Sequence, residues 1–222
     1  MATNLLDLLL PQRCLVCRSP GRQVCTNCLD ALPRIRAPLC ERCGAPTAWP
    51  VARCSECTGR RLAFVQARAA VVYGAAVKTI VSAWKERGLR TLANVAARLV
   101  ADTLPRPEGS TLTFVPPDGE RSLSRGHHPA ERLARELGER WELRVEPLLG
   151  RNRSVSRQRG LRLADRRRNV RGAFTPLGRA PPAVILIDDI YTSGATAAAA
   201  ASALRRAGAR RVEVVTFARA VR

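Results

Sequence analysis

All eight cysteines lie in the first 57 residues, as four Cys-x-x-Cys pairs: Cys14/Cys17, Cys25/Cys28, Cys40/Cys43 and Cys54/Cys57. Proline and glycine are scattered between them, and large apolar residues are few. Such a segment cannot build a hydrophobic core and has to fold around metal. Four pairs with two-residue gaps fit two tetrahedral four-cysteine sites holding two structural Zn²⁺ ions. Spacing allows sequence-order grouping, Cys14/17/25/28 and Cys40/43/54/57, and equally an interleaved one that joins the first pair to the third. Gly44, directly after Cys43, suits a knuckle in which backbone N–H groups turn toward the thiolates. The rival chemistries are redox and an iron–sulfur cluster.

From Phe64 the composition changes, which divides the chain into a cysteine segment, residues 1–62, and a second domain, residues 63–222. The 222 residues suffice for one full core plus a small module. Residues 1–10 read as a short amphipathic helix ending at Pro11. Phe64 to Tyr73 is rich in Val and Ala and reads as one strand or a hairpin arm. Two helical runs follow, 75–87 and 89–104, split at Gly88. Val77, Ile80, Val81 and Trp84 share helical spacing, so one face is apolar and Trp84 reads as core, with a stacking role as the alternative. Leu112 to Val115 is a short strand, Pro129 opens a helix at a favoured first-turn position, and 142–145 is a strand. Ala183 to Ile187 and Arg211 to Phe217 are the last strands, with a helix from Ala195 to Ala207 closed by Gly208. Alternating strands and helices predict an α/β fold with a parallel sheet flanked by helices.

The most informative stretch runs from Val184 to Thr196. Four apolar residues suit a buried parallel strand. Asp188 and Asp189 follow, then Thr192, Ser193, Gly194, Ala195 and Thr196 lead into the alanine-rich helix. A helix N-terminus offers unpaired N–H groups and partial positive charge, which suit a phosphate, and the hydroxyls add donors. The two carboxylates suit ribose hydroxyls or a hydrated Mg²⁺. The bland alternative is a strand-to-helix turn with two surface Asp residues. In a parallel sheet this segment falls at the carboxyl ends of the strands, where ligands bind.

Net charge is +20, with 36 Arg against 2 Lys. That field attracts polyphosphates, DNA without sequence preference, or other acidic partners. An aromatic content of 4% argues against single-strand stacking platforms. Leu5 to Leu10 falls far short of the roughly 18 apolar residues of a membrane helix, and no basic segment precedes it as in a signal peptide. A cytoplasmic location is the expectation. Arg151 to Arg171 carries nine Arg and one acid, Asp165. It reads either as a solvated basic surface or as an arm that closes on pyrophosphate. Arg125 and Arg153 are the candidate anion-binding arginines. Lys85 reads as a solvated helix residue, with a phosphate contact as the alternative. The only histidines, His127 and His128, read as loop residues near a ligand.

The Val184–Thr196 segment resembles the 5-phosphoribosyl-1-pyrophosphate (PRPP) loop of type I phosphoribosyltransferases: four apolar residues, two acids, then Thr/Ser-Gly-x-Thr. The whole chain resembles the ComF family, a double zinc ribbon joined to a phosphoribosyltransferase-like domain. The residues that carry this are the leucine-rich start ending at Pro11, the four cysteine pairs with Gly44, and the Tyr73…Lys85 segment. They continue with Val115-Pro116 leading to Arg125-Gly126, with Gln158, Leu161, Arg166, Arg168, Asn169, Ala173 and Phe174, and with the late acidic loop. Where family members continue Arg-Gly with Phe-Asn-Gln, this chain has His127-His128-Pro129, which puts the acceptor in doubt. The resemblance implies Mg²⁺-dependent binding of PRPP or another ribose phosphate, a role in DNA uptake, and a DNA-translocation partner protein. The residues show no general base for an acceptor. The rival reading is a non-catalytic nucleic-acid or protein-binding module that retains a PRPP-sensing site.

Overall fold

The computed structural model describes residues 12–108, 111–117, 127–152 and 172–221. Its elements in chain order are α1 (Thr26–Asp30), β1 (Gln66–Val72), α2 (Ala75–Glu86), α3 (Leu92–Thr103), β2 (Thr111–Phe114) and α4 (Pro129–Trp141). They continue with β3 (Arg144–Val145), β4 (Leu149–Arg151), β5 (Phe174–Pro176), β6 (Ala183–Tyr191), α5 (Ala195–Arg206) and β7 (Arg211–Arg219). Five strands form one sheet in the order β1-β7-β6-β2-β3, parallel at every pairing. The expected α/β class, a parallel sheet flanked by helices with cysteine ribbons at its N-terminal side, is the class observed. The predicted helix over 1–10 lies outside the described residues.

The central strand β6 reads Val184, Ile185, Leu186, Ile187, and all four are buried. Successive strand side chains point to opposite faces, so the run feeds two cores. Ile185 and Ile187 join α2, α3 and α4 through Trp84, Leu92, Leu99, Leu133 and Leu137. Val184 and Leu186 meet the small side chains Ala197, Ala200 and Ala201 of α5. At roughly 1.5–3 kcal/mol per buried large aliphatic or aromatic side chain, these layers dominate the stabilisation.

Each cysteine segment docks on a different face. Leu15, Val24, Leu29 and Leu32 of the first pack into the α2–α4 core. Cys40, Cys43, Cys57, Leu62 and Phe64 of the second join the α5 core. Between them the chain lines the β1 edge: Ile35 N–H donates to the Ala70 carbonyl at 2.9 Å, and Val72 N–H donates to the Pro33 carbonyl at 2.8 Å. The β1 edge, a site open to further pairing if left bare, is thus covered by the chain's own N-terminal part.

Two differences from the sequence expectations matter. The strand predicted to stop at Ile187 runs on to Tyr191, because β7 continues to pair with it from Asp188↔Thr216 to Tyr191↔Arg219. An antiparallel hairpin, β4 with β5, has no counterpart in the sequence reading; it brackets the basic segment and brings Arg151 opposite Phe174. Apart from that first position and Asn152, the arm 151–171 lies outside the described residues, as does Arg125.

Connections leave β2 through α4 to β3 in one direction across the sheet, and leave β6 through α5 to β7 in the other. β2 and β6 are neighbours. The loops at their carboxyl ends therefore diverge, and a crevice opens between them, the position where open α/β sheets bind ligands.

Candidate functional site

Both cysteine clusters form in sequence order. Cys14, Cys17, Cys25 and Cys28 lie together, as do Cys40, Cys43, Cys54 and Cys57, with all sulfurs of a cluster within 4.8 Å of one another. A tetrahedron with Zn–S bonds of about 2.3 Å has sulfur–sulfur edges of roughly 3.8 Å. The sulfur pairs Cys17–Cys25 and Cys43–Cys54 are each 3.6 Å apart, and Cys40–Cys57 is 4.0 Å. The residues therefore fit zinc. The two sites repeat one local design. Cys25 N–H points at Cys14 Sγ at 3.5 Å, and Cys54 N–H at Cys40 Sγ at 3.3 Å. Burial alone would raise the Cys14 and Cys40 thiols, but backbone N–H groups outweigh it and hold them down at about 6 and about 7. Both favour the thiolate, the form that binds metal.

The residue after each first pair is left-handed, Arg18 at φ 67° and Gly44 at φ 69°. Only the second position needs glycine for space as well: a Cβ on Gly44 would collide with the Ala67 carbonyl of β1. The knuckle lies directly on the sheet, and Ala67 N–H donates to the Arg42 carbonyl at 2.9 Å.

At the carboxyl end of β6, Asp188 and Asp189 fall on opposite faces of the strand, as the two-residue period requires. Asp188 stands beside Thr216 of β7 and lines a small concavity with Thr192, Gly194, Thr196 and Ala197. Asp189 faces the other way and meets Lys85, the last-turn lysine of α2, at 2.6 Å. Asp188 lies close to a second carboxylate, with Lys85 and Arg151 as the cations that offset it, and the Asp189 N–H donates to its Oδ1 at 2.9 Å. Desolvation of its carboxyl, then the charge of Asp189, push it up to about 7, against partial relief from Lys85, the Asp189 N–H and Arg151.

The turn that follows has Gly194 at φ 69° and ψ 8°, serving as N-cap of α5 without any side-chain cap. The first-turn N–H groups of α5 are thus left for another acceptor, apart from a long 3.4 Å contact from Ala195 N–H to Ser193 Oγ. A left-handed position favours glycine, and a Cβ there would strike the Tyr191 ring.

A second concavity lies on the α4 side of the crevice, lined by Arg90, His127, His128, Glu131, Arg132 and Arg135. His127 Nε2 lies 2.7 Å from the Trp84 carbonyl, one residue before Lys85. His128 packs edge-on against Phe114, and burial lowers its pKa, so it is neutral near pH 7. The structure thus brings Asp188, Asp189, Thr192, Ser193, Gly194, Ala195 and Thr196 into one locale with Lys85 and the histidine pair. Sequence reasoning prefers a solvated Lys85; the ion pair corrects that. It misses Thr216 and Tyr191 entirely, and only the loop's continuation into a helix hints at them.

A parallel α/β sheet with an acidic, glycine-turned loop at its switch point, carrying two four-cysteine ribbons, defines the class of protein. Comparison with known proteins shows what the chain is similar to. A double zinc ribbon domain matches residues 5–58. Nearly end to end, the chain is similar to competence proteins of the ComF type, as the motifs implied. The DNA utilization protein YhgH of Salmonella typhimurium is 28% identical, over 93% of this chain and 96% of its own. Competence protein F of Haemophilus influenzae is 24% identical, over 94% of this chain and 97% of its own. Competence protein ComFC of Streptococcus pneumoniae is 28% identical, over 90% of this chain and 82% of its own. Among solved structures, glutamine PRPP amidotransferase from B. subtilis, complexed with ADP and GMP, is 24% identical with a TM-score of 0.37, over 57% of this chain and 25% of that one. That overlap is too slight to assign anything. Among the described residues, no helix is long and apolar enough to cross a membrane.

Proposed function

We propose that the chain binds PRPP or a closely related ribose phosphate, with Mg²⁺, as a phosphoribosyltransferase-type protein whose residues 63–222 hold the site and whose residues 1–62 form the ribbon. One observation carries this reading: a carboxylate pair at the end of a central parallel strand runs directly into a left-handed glycine and an uncapped helix N-terminus. Thr192, Ser193, Gly194, Ala195 and Thr196 take the 5-phosphate with backbone N–H groups and hydroxyls. Asp188 and Asp189 take ribose hydroxyls and supply the oxygen ligands that Mg²⁺ prefers. Mg²⁺, when bound, neutralises charge on the pyrophosphate leaving group. Lys85 stands ready to share that charge once ribose or metal displaces it from Asp189. Arg125 and Arg153 are assigned to the pyrophosphate from sequence.

Titration calorimetry tests the site. PRPP binds more tightly with Mg²⁺ than without, and Asp189→Asn weakens it; equal affinity in both proteins defeats the assignment. Catalysis is tested separately, by screening acceptor bases for pyrophosphate release.

A second reading is favoured by the net charge of +20 and by the relatives' names, DNA utilization and competence protein. In it the chain works in the cytoplasm as an accessory to DNA uptake. It contacts DNA without sequence preference, meets a DNA-translocation partner, and uses the ribose-phosphate site as a sensor.

A further inference from the structure

The second cysteine cluster and the Asp188–Thr196 loop are joined by two separate sets of contacts. The first runs through Arg219, the last residue of β7, which is 1% exposed. Its Nη1 donates to the Cys43 carbonyl at 2.7 Å, and its Nη2 reaches Glu56 at 2.7 Å and Cys43 Sγ at 3.5 Å. The same guanidinium lies 4.6 Å from the Tyr191 ring centroid, and Phe64 closes on that ring edge-on at 6.3 Å. The Tyr191 ring in turn fills the space beneath Gly194 that a Cβ would need. One arginine therefore touches a cysteine ligand on one side and the floor of the loop on the other.

The second set runs through Arg60. Its N–H donates to the Cys57 carbonyl at 3.1 Å, and its Nη2 donates to the Ser193 carbonyl at 2.6 Å. A trans peptide holds its C=O and N–H on opposite sides. Fixing the Ser193 carbonyl toward the ribbon therefore turns the Gly194 N–H away from it. The first cluster has no such link among the described residues; its neighbours Leu15, Val24 and Leu29 pack on the other face of the sheet.

We propose that Arg219 and Arg60 are positioning residues that tie the 191–194 turn to the second cysteine cluster, so that metal held by Cys40, Cys43, Cys54 and Cys57 sets the turn's backbone for anion binding. Metal at this cluster and anion at the loop are then thermodynamically linked, each favouring the other. The first cluster is outside the linkage. The significance for anions rests on the ribose-phosphate reading; the mechanical link does not.

The test is hydrogen exchange by mass spectrometry on the full-length, zinc-loaded chain without any ligand, so failure of the phosphate reading leaves it interpretable. Peptides covering 190–198 report the loop, and peptides covering 92–103 report the fold. Arg60→Gln and Arg219→Gln keep both metals. With a charge-assisted bond removed, loop exchange rises about tenfold while 92–103 stays protected. Cys54→Ser loses the second metal and loosens the loop alike, while Cys17→Ser loses the first and leaves the loop unchanged. A purely structural role would accelerate both peptides together. If Arg219→Gln or Cys54→Ser unfolds the chain, Arg60→Gln decides. Loop exchange unchanged in Arg60→Gln, or raised as much by Cys17→Ser, overturns the proposal.

Discussion

Lys85 Nζ sits 2.6 Å from Asp189 Oδ2, an ion pair across the crevice between the end of α2 and the end of β6. It is one of only two lysines in a chain with 36 arginines. Its compact charge, on a flexible stem, can leave one oxygen for another with little rearrangement, where a bidentate arginine fork would hold on. Lys85→Met should cost PRPP affinity by about tenfold to a hundredfold, the worth of one charge-assisted hydrogen bond. Ribose 5-phosphate, lacking pyrophosphate, should lose much less. Calorimetry with both ligands checks this, and equal losses would assign Lys85 to holding Asp189 alone.

The raised Asp188 carboxyl gives the ligand-free protein a pH dependence. Between its ordinary value of 3.8 and about 7, the folded chain keeps a proton that the unfolded chain has lost. Stability from this group is full below that range and is lost as pH rises through it. Asp188→Asn should flatten the fall in melting temperature from pH 5 to pH 8. Binding of Mg²⁺ with PRPP should release a proton, tightening up to about tenfold per pH unit below 7 and levelling above.

Gly194→Val should abolish ribose-phosphate binding. It should also lower stability by ~2–5 kcal/mol, combining the cost of a left-handed β-branched residue with overpacking against Tyr191. Denaturant melts and calorimetry on the same preparation check both halves. Binding retained at wild-type strength would show that the turn is not the phosphate site.

Zinc content should follow the two clusters separately. Cys43→Ser should lose one metal and the Arg219 contact to the Cys43 sulfur, while Arg219 keeps its bonds to the residue-43 carbonyl and to Glu56, so the melting temperature should fall through loss of the metal. Metal analysis together with thermal melts checks this; a variant with unchanged melting would confine the effect to the ribbon.

Any DNA binding should track the arginine excess. Affinity for two unrelated sequences should be similar and fall steeply with salt, roughly as the number of phosphates neutralised. Fluorescence titrations over a salt series read this directly, and a preference for one sequence that survives high salt would contradict it.

What the sequence made legible was local. The four cysteine pairs carry their chemistry in their spacing, and Val184 to Thr196 spells strand, acids, turn and helix in consecutive letters. The end of β6 is misplaced from sequence because acids look like a strand's boundary. Only the neighbouring β7, which pairs as far as Tyr191↔Arg219, shows that the strand carries them. Lys85 looks like a surface lysine because nothing within helical reach of it is acidic except Glu86; its partner is distant in sequence. Arg219 is hidden for the same reason. Its neighbours Ala218 and Ala220 give no hint of the thiolate, carboxylate and aromatic ring that surround it, which come from segments far earlier in the chain.

The strand order also fixes when this protein can become itself. β1, near the start, pairs within the sheet only with β7, at the end, and Cys43 reaches Arg219 across 176 positions. Contacts so distant in sequence form slowly, since the loop between them must close first. On the ribosome, the ribbon segments emerge before the helices and strands they rest on. The β7-facing edge of β1 and the part of the second ribbon that packs on β7 wait uncovered until that nine-residue strand is released, which makes β7 the fastener of the molecule and the nascent form the species most open to chaperones and proteases.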